Sequence, residues 1–367
     1  MSRAAVASFV ALAAFVAAPA VSAVGATPTA VTAKKIAARS LLVHPNDRRL
    51  GYLGHWAVSA AAATTVNSGS RLTFSFTGTR ATATFDETKV LLKPQIYVTV
   101  DGRSKLVTLD KPVIALASKL RSGRHTVAID IKSIDAGGAR WTRPLTTAVT
   151  LTSLDLGPGA KLLPLPKAAP LRFEFYGDSV TEGIKALGDA YTIAMADATK
   201  AYPALVSRGF GADGSNLAFA GQGVTAAGLG GVGTAPESFG NLLAGTPALS
   251  SAPDAVILHL GENDDAATAQ AFTDAYVGYL AKIRKAYPKA WIFALRPFNG
   301  VHAADVTAAV TTAADPKIVD VDTTGWLPPT DTRDGTHPTA AAHRKLAALM
   351  VTAIHAKAGW KVANPKP

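Results

Sequence analysis

A serine hydroxyl attacks an acyl carbon only when a base takes its proton and donors await the oxyanion that forms. Residues of the required types stand in this chain at the ends of apolar runs. Gly177-Asp178-Ser179 follows the run Leu171–Tyr176, and Asp334-Gly335-Thr336-His337-Pro338 stands near the C-terminus. Asp334 lies three residues before His337. On a tight loop that spacing lets the carboxylate take the Nδ1 proton and leaves Nε2 to face Ser179. Between these stretches come Gly221, where the backbone can approach a substrate closely, and Asn263, whose amide is an uncharged donor. With the N–H of Ser179 they form a natural set of oxyanion donors. The expected chemistry is acyl transfer, with Ser179 as nucleophile, His337 as base and Asp334 as its orienting partner. Each stretch alone has a plain structural reading, because Gly ends strands, Asn and Asp cap helices, and Pro suits a first helical turn.

Such residues must be positioned by a sheet. From Leu171 onward, apolar runs at Leu171–Tyr176, Asn216–Ala220, Ala255–Leu260, Trp291–Leu295 and Ile318–Val321 read as strands. Helical periodicity lies between them, clearest over Ala267–Tyr287, and recurs from Pro338 to Ala356. This alternation predicts a parallel sheet with helices on both faces, whose carboxyl edge holds the site. Ser40 to Leu156 has a different character. Arg71–Gly78, Ala81–Phe85, Ile96–Val100, Lys105–Leu109, His125–Ile131 and Ala148–Leu151 are short strands, with a hairpin signal at Asp101-Gly102. That series predicts a sandwich or jelly roll. The expected domains are a signal peptide over 1–23, a flexible leader over 24–39 and an all-β sandwich over 40–156. A Gly/Pro-rich linker over 157–170, an α/β domain over 171–360 and a tail over 361–367 complete the division.

Composition narrows the function classes. The 367 residues include no cysteine, which excludes thiol chemistry and a disulfide framework. The eight histidines form no ligand-spaced cluster, so no metal and no cofactor are expected. Met1-Ser2-Arg3, the apolar stretch Ala4–Ala18 and Val21-Ser22-Ala23 have the pattern of a cleavable secretory signal. The apolar stretch is short of the roughly 20 residues that span a bilayer. A soluble, secreted monomer is expected, with no membrane partner. The net charge of +11 sits in the first half: residues 24–170 hold 20 Lys+Arg against 8 Asp+Glu, and residues 171–367 hold 16 against 18. The dispersed basic residues fit an anionic cell-wall polymer or simple solubility better than nucleic acid. Asp178 and Asp264 read as loop braces and His259 as a core residue. Gly228–Gly233 lacks the Lys-Ser/Thr of a phosphate loop and reads as a mobile loop bordering the cleft.

Taken in order, Gly-Asp-Ser at 177–179, Gly221, Gly261-Glu262-Asn263-Asp264 and Asp334-x-x-His337-Pro338 resemble the four blocks of the SGNH (GDSL-type) hydrolases. The resemblance implies a flavodoxin-like three-layer α/β/α domain. It also implies Ser179, Gly221 and Asn263 as oxyanion donors and Ser179, His337 and Asp334 as a triad. Glu262 departs from the Thr or Gly common in the third block, and is a candidate for substrate binding, pKa tuning or bracing of the loop. The order of domains, with Gly69–Phe74, Val98–Gly102 and Gly221–Val224, is similar to the two-domain esterases of carbohydrate esterase family 2. Glu182, after Gly-Asp-Ser-x-Thr, fits that pattern. The likeness implies removal of acetyl groups from plant polysaccharide by a carboxylic ester hydrolase of the acetylxylan esterase type. It also implies an aromatic residue that stacks a sugar, for which Trp326 is the candidate, with a core or hinge role as the alternative. Two other readings remain at this point: a secreted lipid esterase or lipase of the same fold, and a catalytically silent carbohydrate-binding wall protein.

Overall fold

The computed structural model describes residues 17, 39–248 and 252–364. The expected signal peptide, and the leader up to residue 38, lie outside the described residues apart from residue 17. From residue 39 onward the described chain belongs to one unit, in which two kinds of layer are packed together.

The first kind is a β-sandwich of two antiparallel sheets. One sheet has the spatial order Ala57–Val58, Ala63–Thr65, Val149–Pro158, Ala81–Phe85, Val113–Ala117, with Ser40–Val43 also pairing to Val149–Pro158. The other runs Lys161–Leu163, Arg71–Gly78, Gly123–Ser133, Gln95–Val100, Arg103–Thr108, with Gly51–Leu53 on Arg71–Gly78. Alternating residues face inward, so that Leu72, Phe74 and Phe76 from one sheet and Ala83, Leu151 and Leu154 from the other share one core. Each fully buried Leu or Phe contributes about 1.5–3 kcal/mol. Asp101 and Gly102, both at positive φ, turn the expected hairpin between Gln95–Val100 and Arg103–Thr108.

The stretch expected to be a linker, 157–170, contains the strand Lys161–Leu163, which pairs with Arg71–Gly78 at the edge of its sheet. The reason is packing: Leu162 is buried in the sandwich core, a contribution that the surrounding glycines and prolines mask in the sequence.

The second kind is a five-stranded parallel sheet. Its spatial order is Asp213–Asn216, Arg172–Gly177, Ala255–His259, Trp291–Leu295, Ile318–Val321, which in chain order is 2-1-3-4-5. Ala255–His259 is buried along its whole length, as a parallel strand covered on both faces must be. Helices Tyr202–Phe210 and Ala340–Ala358 cover one face through Leu205, Phe210, Leu346 and Met350. Helices Ala269–Ala286 and Ala303–Ala313 cover the other through Phe272, Tyr276, Leu280 and Val306. The second strand ends at Asn216, earlier than expected. Residues 217–220 still run beside the first strand, with Leu217 N–H donating to the Phe175 carbonyl at 2.8 Å and Phe219 N–H to Gly177 at 3.0 Å. Beyond the expected end at 360, Ala363 and Asn364 both donate to the Gly209 carbonyl at 2.8 Å, and Trp360 stacks on Phe173. The strand order reverses between Arg172–Gly177 and Ala255–His259, and a ligand crevice is expected at the carboxyl ends of those two strands.

Candidate active site

Ser179 stands at that switch point. Asp178 caps the short helix Ser179–Glu182 by accepting the Val180 N–H at 2.9 Å. Ser179 is therefore the first helical residue, whose N–H has no acceptor within the helix. The loop before Ala340–Ala358 brings His337 to it, with His337 Nε2 3.0 Å from Ser179 Oγ. On the other side of the ring, His337 Nδ1 is 3.1 and 3.0 Å from the two carboxylate oxygens of Asp334. The Thr336 and His337 N–H groups donate to Asp334 Oδ1 at 3.2 and 2.9 Å, so the turn itself aims the carboxylate.

Two further groups reach the same carboxylate. Lys185 Nζ and the Tyr191 hydroxyl donate to Asp334 Oδ2 at 2.8 and 2.9 Å. The Lys185 ammonium also lies 3.9 Å from the centre of the Tyr191 ring, which stands edge-on to His337. Partial burial pushes the Asp334 carboxyl up, but the His337 N–H, Lys185 and the imidazole outweigh it and hold it far below the usual range. Burial pushes the His337 imidazole down; Asp334 opposes this, and Lys185 adds to it.

Gly221 and Asn263 line the same cavity as Ser179 and His337. Gly221 has φ +74°, which favours glycine. Asn263 Nδ2 donates to Asp178 Oδ2 at 3.2 Å and to the Gln222 carbonyl at 3.1 Å. Asp264 takes the N–H groups of Val224, Thr225 and Ala226 at 2.7–3.1 Å and so braces the loop after Gly221. The cavity, about 740 Å³, lies between the two kinds of layer. Ile184, Tyr191, Ile193 and Leu229 line it from the C-terminal half, and Leu92, Gln95 and Ile134 from the sandwich. Among the described residues no group of three His, Asp or Glu side chains is placed to hold a metal ion, and no helix is long and apolar enough to cross a membrane.

Residues 175–345 match the GDSL-like lipase/acylhydrolase family. They form a GDSL-like lipase/acylhydrolase domain. The wider chain is similar to the cellulase/esterase CelE of Acetivibrio thermocellus, 25% identical over 328 residues that cover 80% of this chain. It spans only 37% of that protein's length. Among solved structures, a family two carbohydrate esterase from Cellvibrio japonicus superposes with a TM-score of 0.75 at 20% identity, covering 88% of this chain and 99% of that one. A family two carbohydrate esterase from Clostridium thermocellum, in complex with cellohexaose, superposes with a TM-score of 0.72 at 23% identity, covering 85% and 100%. At these identities the superpositions show the shared fold: an N-terminal β-rich domain followed by the GDSL-like domain with its parallel sheet.

Two residues expected at the substrate lie elsewhere. Trp326 packs against the apolar cluster that includes Phe293, Val319 and Leu346, where burial of its ring against apolar side chains holds it, and it does not line the cavity. Glu262 turns away from the cavity and accepts the Asn299 N–H at 3.1 Å. Burial raises its carboxyl to about 6. His259 is fully buried against Phe298, in keeping with a core role. Conversely, sequence reasoning passed over Lys185 and Tyr191, which flank Asp334. The available signal was weak: Tyr191 is an aromatic residue on a Gly/Asp-containing loop soon after Ser179, and it is 68% exposed at the cavity rim.

Proposed function

We propose that the protein is a secreted serine esterase that removes acetyl or other short acyl groups from polysaccharide. The observation that carries this reading is the line Ser179 Oγ, His337 Nε2, His337 Nδ1, Asp334 at hydrogen-bond distances, facing a cavity with Gly221 and Asn263. As Ser179 Oγ bonds to the ester carbon, its proton passes to His337 Nε2 and the carbonyl electron pair moves to oxygen. The N–H groups of Ser179 and Gly221 and the Asn263 amide receive that oxyanion, with Asn263 exchanging its bond to the neutral Gln222 carbonyl for the stronger, charged acceptor. Collapse expels the alcohol oxygen, which takes the proton from His337 and leaves an acyl-enzyme. Water then attacks, gives a proton to His337, and the second collapse frees the acid and returns the proton to Ser179.

The polysaccharide part of the reading is supported by the printed descriptions of the similar proteins, one a cellulase/esterase and one solved with cellohexaose. In this reading Tyr191, exposed at the rim, takes the sugar-stacking role expected of Trp326. Export rests on the pattern of residues 1–23, and attraction to an anionic wall polymer on the surplus of Lys and Arg in residues 24–170. A second reading, an esterase of longer acyl chains, is favoured by the apolar side chains of Leu92, Ile134, Ile184, Ile193 and Leu229 around the cavity.

Hydrolysis of p-nitrophenyl acetate and octanoate by wild type and Ser179→Ala tests both. Acetate preference, lost in Ser179→Ala, is the expected result. Equal rates for the two proteins would remove the esterase reading, and octanoate preference would replace it with the second. Acetate release from acetylated xylan, mannan, chitin and peptidoglycan then identifies the polymer.

A further inference from the structure

Between Gly123–Ser133 and Val149–Pro158 the sandwich sends a loop against the GDSL-like domain, and on that loop Arg140 is completely buried. Its Nη1 and Nη2 donate to Oε1 and Oε2 of Glu182 at 2.7 and 3.1 Å, a fork-to-fork pair in which neither side chain is more than 1% exposed. Glu182 closes the helical turn that Ser179 opens. Its carboxylate also accepts the Ala220 N–H at 3.0 Å and the Ser68 hydroxyl at 3.2 Å. The Arg140 guanidinium stands 4.8 Å from the centre of the Phe219 ring. The Arg140 N–H donates to the Gly230 carbonyl at 3.1 Å, and next to it the Leu229 N–H donates to the Ala220 carbonyl at 2.8 Å. This approach depends on glycine: at φ +72°, a Cβ on Gly230 would lie 2.4 Å from the Gly138 carbonyl oxygen.

These bonds converge on one residue, Ala220, whose N–H and C=O lie in the two successive peptides on either side of its Cα. The Ala220 carbonyl and the Gly221 N–H share a plane and point in opposite directions. With Ala220 N–H held by Glu182 and Ala220 C=O held by Leu229, the direction of the Gly221 N–H is set from both sides. A buried ion pair is weak evidence for stability, since well-packed apolar residues often replace one without loss. Its geometry is what an oxyanion donor requires.

We propose that Arg140, from the sandwich, and Glu182 are positioning residues for the Gly221 N–H: the guanidinium anchors the carboxylate, and the carboxylate anchors Ala220. The inference rests on the reading of Gly221 as an oxyanion donor. It makes the accessory domain part of the catalytic apparatus without any sandwich atom touching the reacting carbon.

Arg140→Lys and Glu182→Gln test it, assayed beside wild type and Ser179→Ala on p-nitrophenyl acetate, at a temperature where circular dichroism shows each variant folded. A p-nitrophenyl alkylphosphonate, whose adduct on Ser179 places a phosphoryl oxygen at the oxyanion position, provides the second readout. The expected result is a kcat lowered about 10- to 100-fold with KM little changed, and phosphonylation slowed by a similar factor. Wild-type kcat in folded variants, with only the thermal midpoint lowered, would overturn the proposal and leave the pair as a fastener between domains. The double variant Arg140→Met/Glu182→Leu, which leaves no unpaired charge, is judged by the same two outcomes if a single variant aggregates. Wild-type rates in Ser179→Ala would instead overturn the esterase reading, so the two failures are distinct.

Discussion

Asp334 collects more donors than a histidine partner needs. Its carboxylate faces the His337 ring, two backbone N–H groups, the Lys185 ammonium and the Tyr191 hydroxyl. The competition has a direction. Burial and the Lys185 charge both press the His337 imidazole below its ordinary range, while Asp334 lifts it. In the proposed mechanism His337 must be neutral to accept the Ser179 proton, so kcat/KM rises with pH through the His337 ionisation. Lys185→Met removes a cation that disfavours imidazolium and frees Asp334 to favour it. Both effects raise the His337 pKa, so the acid limb of the kcat/KM profile should move to higher pH. A limb that stays in place, or moves to lower pH, would show that Lys185 has no hold on the base. Asp334→Asn keeps the shape but loses the charge that selects the tautomer, and kcat should fall by on the order of 10³–10⁴. Steady-state rates at the wild-type optimum check this.

At the scale of elements, strand ends position Ser179 and Asn263, the loop before Ala340–Ala358 positions Asp334 and His337, and a further loop walls the cavity. Residues 187–197, which carry Tyr191 and Ile193, have no regular secondary structure of their own. They are held by Lys132, at the end of Gly123–Ser133. Its buried ammonium donates to the carbonyls of Ile193, Ala194 and Ala196 at 2.8, 3.1 and 2.7 Å and to Gln95 Oε1 at 2.9 Å. Burial lowers that ammonium to about 8. Lys132→Met leaves several carbonyls without a donor and should cost about 2–5 kcal/mol in urea unfolding. KM should rise as the cavity wall loosens. An unchanged urea midpoint would mean that the loop holds its shape without the lysine.

For the molecule as a whole, two domains that differ in architecture share their most polar buried contacts. Arg140–Glu182, Lys132 with the carbonyls of Ile193, Ala194 and Ala196, and the Tyr97 hydroxyl on Asp197 at 2.9 Å all cross from sandwich to GDSL-like domain. Separating the halves would strand each of these groups, and would open the cavity that both halves line. Calorimetry of the full chain should therefore show a single cooperative transition. Two well-separated peaks would show that the sandwich and the GDSL-like domain unfold independently and would weaken any account in which one positions the other.

That Ser179, Gly221, Asn263, Asp334 and His337 would come together was readable before any fold was known, because each sits in a short motif, the first three just after an apolar run and the last two just before the final helix. Local periodicity likewise determined the division into an all-β half and a strand–helix half, with strand ends misplaced by a few residues, the edge strand Lys161–Leu163 hidden among prolines, and Ser40–Val43, Gly51–Leu53, Ala57–Val58, Ala63–Thr65 and Val113–Ala117 too short or too weakly patterned to be read as strands. Tertiary structure alone decided that Trp326 and Glu262 turn away from the cavity, and that Lys185, Tyr191, Lys132 and Arg140 support it. Lys185 meets Asp334 across 149 positions of chain, and Lys132 meets Ala196 across 64. No local spacing encodes such pairs. They exist because a buried charge must find its partners wherever folding brings them.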